Sequence, residues 1–212
     1  MCSSDLEGWL QVRMEDGHEM LDPTTSAVFA VADHQIAHVY VRNPSLVPQV
    51  KQLLQGVPGV EAVWDKSEQA AHHIAHERSG ELVVMSDARS WFTYYFWLDD
   101  ALAPDFARTV EIHRKPGYDP VELFLDPKIA FPKLTIVGKL LKKILGFRML
   151  MDVIPLDATL VKGSHGRPTD DPLDGPLVMS DMPDLLPSRV AATDIKDIAL
   201  QHIFGAATAA SH

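Results

Sequence analysis

The apolar and polar residues of WLQVRMEDGHEML, residues 9 to 21, alternate on either side of Asp16-Gly17, and this predicts a β-hairpin closed by a tight turn. The segment AVFAVADHQIAHVYV, 27 to 41, is rich in small and β-branched residues and predicts one bent strand or two short ones. Pro44 then opens a helix whose apolar positions Leu46, Val50, Leu53 and Leu54 keep helical spacing, with Gly56 as its stop. GVEAVWD, 59 to 65, returns as a strand, so Val39 to Trp64 reads as strand, helix, strand: a small α/β subdomain. Asp65-Lys66-Ser67-Glu68 fits a capping box that starts a short helix through EQAAHHIAH.

Further along, GELVVMSD and WFTYYFWL predict paired strands joined by a polar turn at 87 to 90. Residues 99 to 133 are irregular and carry Pro104, Pro116, Pro120, Pro127 and Pro132, a long loop of the kind that more often serves function than connection. TIVGKLLKKILGF, 135 to 147, is an amphipathic helix expected to pack on the sheet with Lys139, Lys142, Lys143 and the nearby Arg148 in water. ATLVKGSHG predicts a strand running into a glycine turn, GPLVMSD another strand, and VAATDIKDIALQHIFG, 190 to 205, a last helix stopped by Gly205. The tail from 206 to 212 is expected to be disordered.

Composition narrows the class. The chain has 212 residues, 46% hydrophobic and 23% charged, as in an ordinary globular protein with a sizeable core. A net charge of -10 argues against duplex nucleic acid or an anionic membrane as a nonspecific partner. No run of about 18 apolar residues predicts a membrane span. Cys2 is the one cysteine, which excludes an intrachain disulfide and a cysteine-based metal site. The first six residues, MCSSDL, back-translate to GTG TGC TCT TCC GAT CT, the end of a widely used sequencing-library adapter. They are therefore read as an artefact, with the natural 5′ end of the gene missing and the compartment open, cytoplasm slightly favoured.

Several histidines are candidates for chemistry. His165, between Gly163 and Gly166, sits where a strand end can aim an imidazole at a site, and the glycines allow close backbone approach. Asp33 and His34 adjoin, but neighbouring strand residues point to opposite faces and converge only at a bend. His34 and His38 lie roughly 13 Å apart at strand rise, too far to chelate one ion, so polar residues at a strand bend is the favoured reading. In HHIAH, His72 and His76 keep the helical spacing that can hold zinc, but no central glutamate accompanies them, and solvated helix residues are expected. EIHRKPGYDPVELFLDP, 111 to 127, offers His113, Arg114 and Lys115 as cationic donors, Tyr118 as a hydroxyl and Asp119 as a carboxylate. Such donors can neutralise the charge of a phosphate ester, or can pair with surface acids. The aromatics from Trp91 to Trp97 read as sheet packing or as a substrate wall.

The order of GSHG, a polar stretch, PLVM and TDIKDIAL resembles the C-terminal end of the alkaline phosphatase superfamily, in particular its type I phosphodiesterase and nucleotide pyrophosphatase branch. AHVYV, PGVEAVWD and RSGELVV resemble that branch's cap region, with Arg78-Ser79-Gly80-Glu81 where an Arg-x-Gly-Asp turn is usual. The resemblance runs along nearly the whole chain but covers only the later half of the family's domain. It implies an α/β fold: the C-terminal part of an alkaline phosphatase-like sheet flanked by helices over residues 7 to 205, with a small α/β cap at about 36 to 86. It also implies a phosphoric ester hydrolase acting on a small-molecule phosphate ester or nucleotide. In such an enzyme a Ser or Thr attacks phosphorus beside two divalent metal ions, zinc being expected, roughly 4 Å apart, and His165 takes the place of a metal-binding histidine. The nucleophile and the other ligands belong to the family's earlier half, and nothing in residues 1 to 30 matches them. The chain alone is therefore expected to be inactive, or an interaction module. A sulfatase or mutase of the same superfamily is the remaining alternative.

Overall fold

The computed structural model describes residues 8 to 111 and 113 to 205. The chain divides into two compact units, Met1–Arg167 and Pro168–His212.

In the first unit, β1 (Val12–Glu15) and β2 (His18–Leu21) form the expected hairpin, with Asp16 and Gly17 both at positive φ in the turn. The 27 to 41 segment is two strands, β3 (Val28–Asp33) and β4 (Ile36–Val41), paired antiparallel with Asp33 opposite Ile36. Only His34 and Gln35 are left for the turn, and His34 takes a φ of 57°. Asn43 caps the short turn Pro44–Leu46, which leads into α1 (Val47–Gln55), ended by Gly56 as expected. Then β5 (Val60–Asp65) is followed by α2 (Lys66–Ala71), whose capping box is formed from both sides: the Asp65 carboxylate accepts from Ser67 and Glu68, and the Glu68 carboxylate accepts from the Asp65 N–H.

The last strand, β6 (Leu82–Ser86), is buried along its whole length because it lies inside the sheet order β3-β4-β6-β5. Both neighbours run antiparallel to β6, so β4 and β5 are parallel to each other and α1 makes the crossover between them. One core lies between this sheet and α1, built from Val39, Val41, Val50, Leu54, Val63, Leu82 and Val84. Helices with antiparallel sheets make this an α/β fold, as expected.

Several expectations are corrected. WFTYYFWL is not a strand: β4 and β6's other neighbour β5 already occupy both edges of β6. Its aromatics instead form a second core, in which Tyr94, Phe96 and Trp97 pack with Leu10, Phe106 and Ala107. ATLVKGSHG is not a strand either, because Asp157 caps a 3-10 turn at Ala158–Leu160 by accepting from the Thr159 N–H. GPLVMSD has no strand partner among the described residues, and its Leu177 and Met179 are exposed. HHIAH is not helical, since α2 ends at Ala71 and His73 has a φ of 58°; the zinc-type spacing is lost and His72 packs on Trp64.

The amphipathic helix α3 (Pro132–Ile144) starts three residues before the expected Thr135, because Pro132 suits a first helical position. It has no buried residue, and Leu134, Leu141 and Ile144 stand exposed rather than packed on the sheet. In the second unit, α4 (Ile195–Phe204) matches the expected last helix after a 3-10 turn at Ala192–Asp194, with Gly205 as its cap. His202 donates from Nδ1 to the Ile198 carbonyl at 2.8 Å and accepts at Nε2 from Ser180. Residues 1 to 6 and the tail, to which the artefact and disorder were assigned, lie outside the described residues.

Candidate functional site

Three segments distant in sequence meet at the β3-β4 turn. The first is the turn itself, His34-Gln35, forced tight by the register of the two strands. The second is Gly117-Tyr118, which runs beside β3: Ala32 bridges to Gly117, and the Tyr118 N–H donates to the Ala32 carbonyl at 2.9 Å. Gly117 is required there, because at a φ of 136° an added Cβ would lie 2.4 Å from the Ala32 oxygen. The third is the Gly163–Gly166 loop. The Gln35 N–H donates to the His165 carbonyl at 2.9 Å, and Gly166, at a φ of 109°, passes close to the backbone of Asp33, Gln35 and Ile36. Arg167 fastens the loop's end to β5 through a bidentate pair with Glu61, at 2.8 and 3.0 Å.

The side chains of these segments converge on His34. Its ring stacks on His165 with centroids 3.9 Å apart and on Tyr118 at 5.0 Å, and its Nδ1 is 3.0 Å from Ser164 Oγ. His34 is 6% exposed, and its Nε2 has no hydrogen-bond partner among the described residues. Burial, and secondarily the neighbouring His165, lower the His34 pKa, against a smaller opposing pull from Asp33. Burial also lowers that of His38, with Lys66 adding to it; His38 faces away to a structural task, its Nδ1 accepting the Gly80 N–H at 3.2 Å.

The cluster unites two residues expected from sequence, Tyr118 and His165, with His34, for which a strand bend is the favoured expectation and a pocket rim the alternative. The sequence carried a usable signal: asparagine, aspartate and histidine are the non-glycine residues that most readily accept positive φ. A histidine between two β-branched runs, here His34, therefore suits the first position of a two-residue hairpin turn.

The remaining polar residues of the 111 to 127 loop go elsewhere. Lys115 is buried, with its ammonium 3.0 Å from Asp119 and 2.5 Å from Glu122 and lying over the Tyr94 ring. Burial pushes the Asp119 carboxyl up, opposed by Lys115. Burial likewise raises the hydroxyl pKa of Tyr94 and Tyr95, whose oxygens have no partner among the described residues. Arg114 lies over Phe106 and pairs with Asp105 at 3.4 Å, as does Arg148 at 3.2 Å. These three line a groove of about 330 Å³ with Glu15, His18 and Met20, which shares no lining residue with the His34 cluster. His113 is exposed.

An α/β domain with a histidine loop clamped on a strand turn is the class these observations define. The sequence profile of the type I phosphodiesterase / nucleotide pyrophosphatase family matches residues 4 to 119, more than half of the chain, and the chain belongs to that family, within the alkaline phosphatase superfamily. The matched span contains His34 and Tyr118 and ends before Gly163. No curated protein and no solved structure matches the chain. The family indicates phosphodiesterase or nucleotide pyrophosphatase-like activity on a small-molecule substrate, generally dependent on metal. No helix among the described residues is long and apolar enough to cross a membrane.

Imidazole suits a divalent metal such as zinc. The described residues nevertheless gather no group of three His, Cys, Asp or Glu side chains able to hold one. The rings of His34 and His165 also stack with their planes inclined by only 23°, so the two planes do not meet within bonding distance of both rings. The residues present do not complete a metal site.

Proposed function

We propose that this chain is the C-terminal part of a phosphoric ester hydrolase that cleaves phosphodiester, pyrophosphate or phosphomonoester bonds, and that His165 is its contribution to the reacting centre. The observation that carries this reading is the convergence of His34, Tyr118 and His165 from three separate segments in a chain of this family. His165 supplies one ligand of a divalent metal site, with zinc the expected ion, and the other ligands and the Ser or Thr nucleophile lie in a preceding portion of the domain. The exposure of Tyr118, 54%, beside His34 supports reading it as a substrate contact. His113 and Arg114 remain candidates for the substrate phosphate, whereas Lys115 and Asp119 act through each other to shape the loop.

Exposed apolar side chains support the larger domain. Leu134, Leu141, Ile144, Leu145 and Phe147 of the first unit lie open to solvent, as do Leu173 and Leu177 of the second.

The test is hydrolysis of a chromogenic phosphodiester. A chain extended upstream in the natural reading frame is expected to turn over, and His165→Ala in it to lose at least about a hundredfold in rate, corresponding to about 2.7 kcal/mol. An extended chain whose rate is indifferent to His165→Ala contradicts the assignment of His165.

A further inference from the structure

The conformation of His34 is unusual for its surroundings. It holds a left-handed φ of 57° and buries a polar ring at 6% exposure, yet its Nε2 bonds to nothing among the described residues. The two-residue turn accounts for the positive φ but not for the buried ring, because glycine or asparagine meets the backbone demand with no ring to bury. What the ring does make is contact with the neighbouring loop: it lies flat on the His165 imidazole at 3.9 Å and reaches Ser164 Oγ at 3.0 Å. The main chain repeats the link, since the Gln35 N–H holds the His165 carbonyl and Gly166 closes on the turn without room to spare.

We propose that His34 is a positioning residue for His165. Its ring is a flat stop that fixes the plane of the His165 imidazole, and so fixes the direction in which the reactive nitrogen of that ring points. Ser164 holds the stop in place from the same loop, and Tyr118 supports it by stacking at 5.0 Å. Locked ligand and catalytic side chains owe their alignment to supporting contacts, and loss of a hydrogen-bonded one typically weakens metal binding about 10- to 100-fold. The two rings are too nearly parallel to share one ion, so His34 supports the site and does not coordinate with His165. The proposal rests on the reading of His165 as a site residue, but the ring contact itself needs no metal.

The test follows the imidazole C–H resonances of the whole 212-residue chain by NMR, with His165 assigned by its own substitution. In the wild type, ring currents from His34 displace the His165 signals. His34→Ala should return them towards free-imidazole positions, while His34→Phe, which keeps a flat ring and removes both nitrogens, should restore most of the displacement. The His38 resonance and the melting temperature report the fold separately. A zinc titration read at the His165 signal adds a second arm, in which His34→Ala binds about tenfold more weakly and His34→Phe binds as the wild type.

Unmoved His165 signals in a folded His34→Ala variant overturn the proposal. So does a His34→Phe variant that restores the ring shift but binds zinc as poorly as His34→Ala, since His34 would then be supplying a nitrogen. If the ring shifts behave as expected but His165→Ala leaves the rate of the upstream-extended chain unchanged, the positioning role stands and the metal assignment of His165 falls.

Discussion

Lys115 was readable from the sequence as a cationic donor, and its position in the structure gives it a different task. Its side chain is 1% exposed, with the ammonium between Asp119 and Glu122, so the charge that composition offers to a substrate neutralises two internal carboxylates. Spacing alone does not distinguish these outcomes, because they depend on which side of the loop the aromatic core takes. Removing one partner of a buried ion pair leaves uncompensated charge, so Lys115→Met should cost about 3–5 kcal/mol in a denaturant titration; a loss below about 1 kcal/mol would contradict the buried network. His38 gives a prediction in pH. Its lowered pKa, like that of His34, means that below about pH 6.5 the unfolded chain takes up protons the folded chain resists. The stability these groups contribute is thus fully present above that pH and is lost as pH falls towards the folded values. Protonating His38 at Nδ1 also breaks its bond from the Gly80 N–H. His38→Gln, which keeps an acceptor, should flatten the fall in melting temperature between about pH 7 and about pH 5. An unchanged slope would remove His38 from that role.

At the scale of elements, local signals were legible and partnership was not. The β1-β2 hairpin, α1, the capping box of α2 and the last helix follow from turn residues, apolar spacing and caps, each decided within a few neighbours. The aromatic run after β6 has the composition of a strand, but whether it becomes one depends on a free sheet edge, and β6 has none. The meeting of the turn at His34 with Gly117 and Gly166 is likewise a property of distant segments; only the glycines marked in advance that close approach was possible. Gly117→Ala tests that approach, because its Cβ would press on the Ala32 carbonyl in a left-handed backbone. It should destabilise the chain by about 1–3 kcal/mol and weaken the contact of Tyr118 with His34, visible as a shift of the His34 resonances. A neutral effect on both would show that the loop does not depend on the bridge to β3.

For the whole molecule, the balance of apolar surface is the informative property. The sheet and its two cores are well filled, yet α3 presents Leu134, Leu141 and Ile144 outward and holds the body through the ion pair of Lys139 with Asp152. Replacing these three apolar residues with lysine should lower binding of a hydrophobic dye and any self-association, while changing stability by less than about 0.5 kcal/mol per site; a large loss of stability would mean that the helix packs inward instead. An apolar face of this kind, in a family whose activity needs more ligands than these residues bring together, is what a part of a larger catalytic domain should expose. Zinc content after dialysis measures that claim most directly. The purified chain should retain well below one zinc per molecule, since the described residues gather no group of three metal-binding side chains. A single tightly held zinc, lost on His165→Ala, would show that the chain completes the site by itself and would contradict the account.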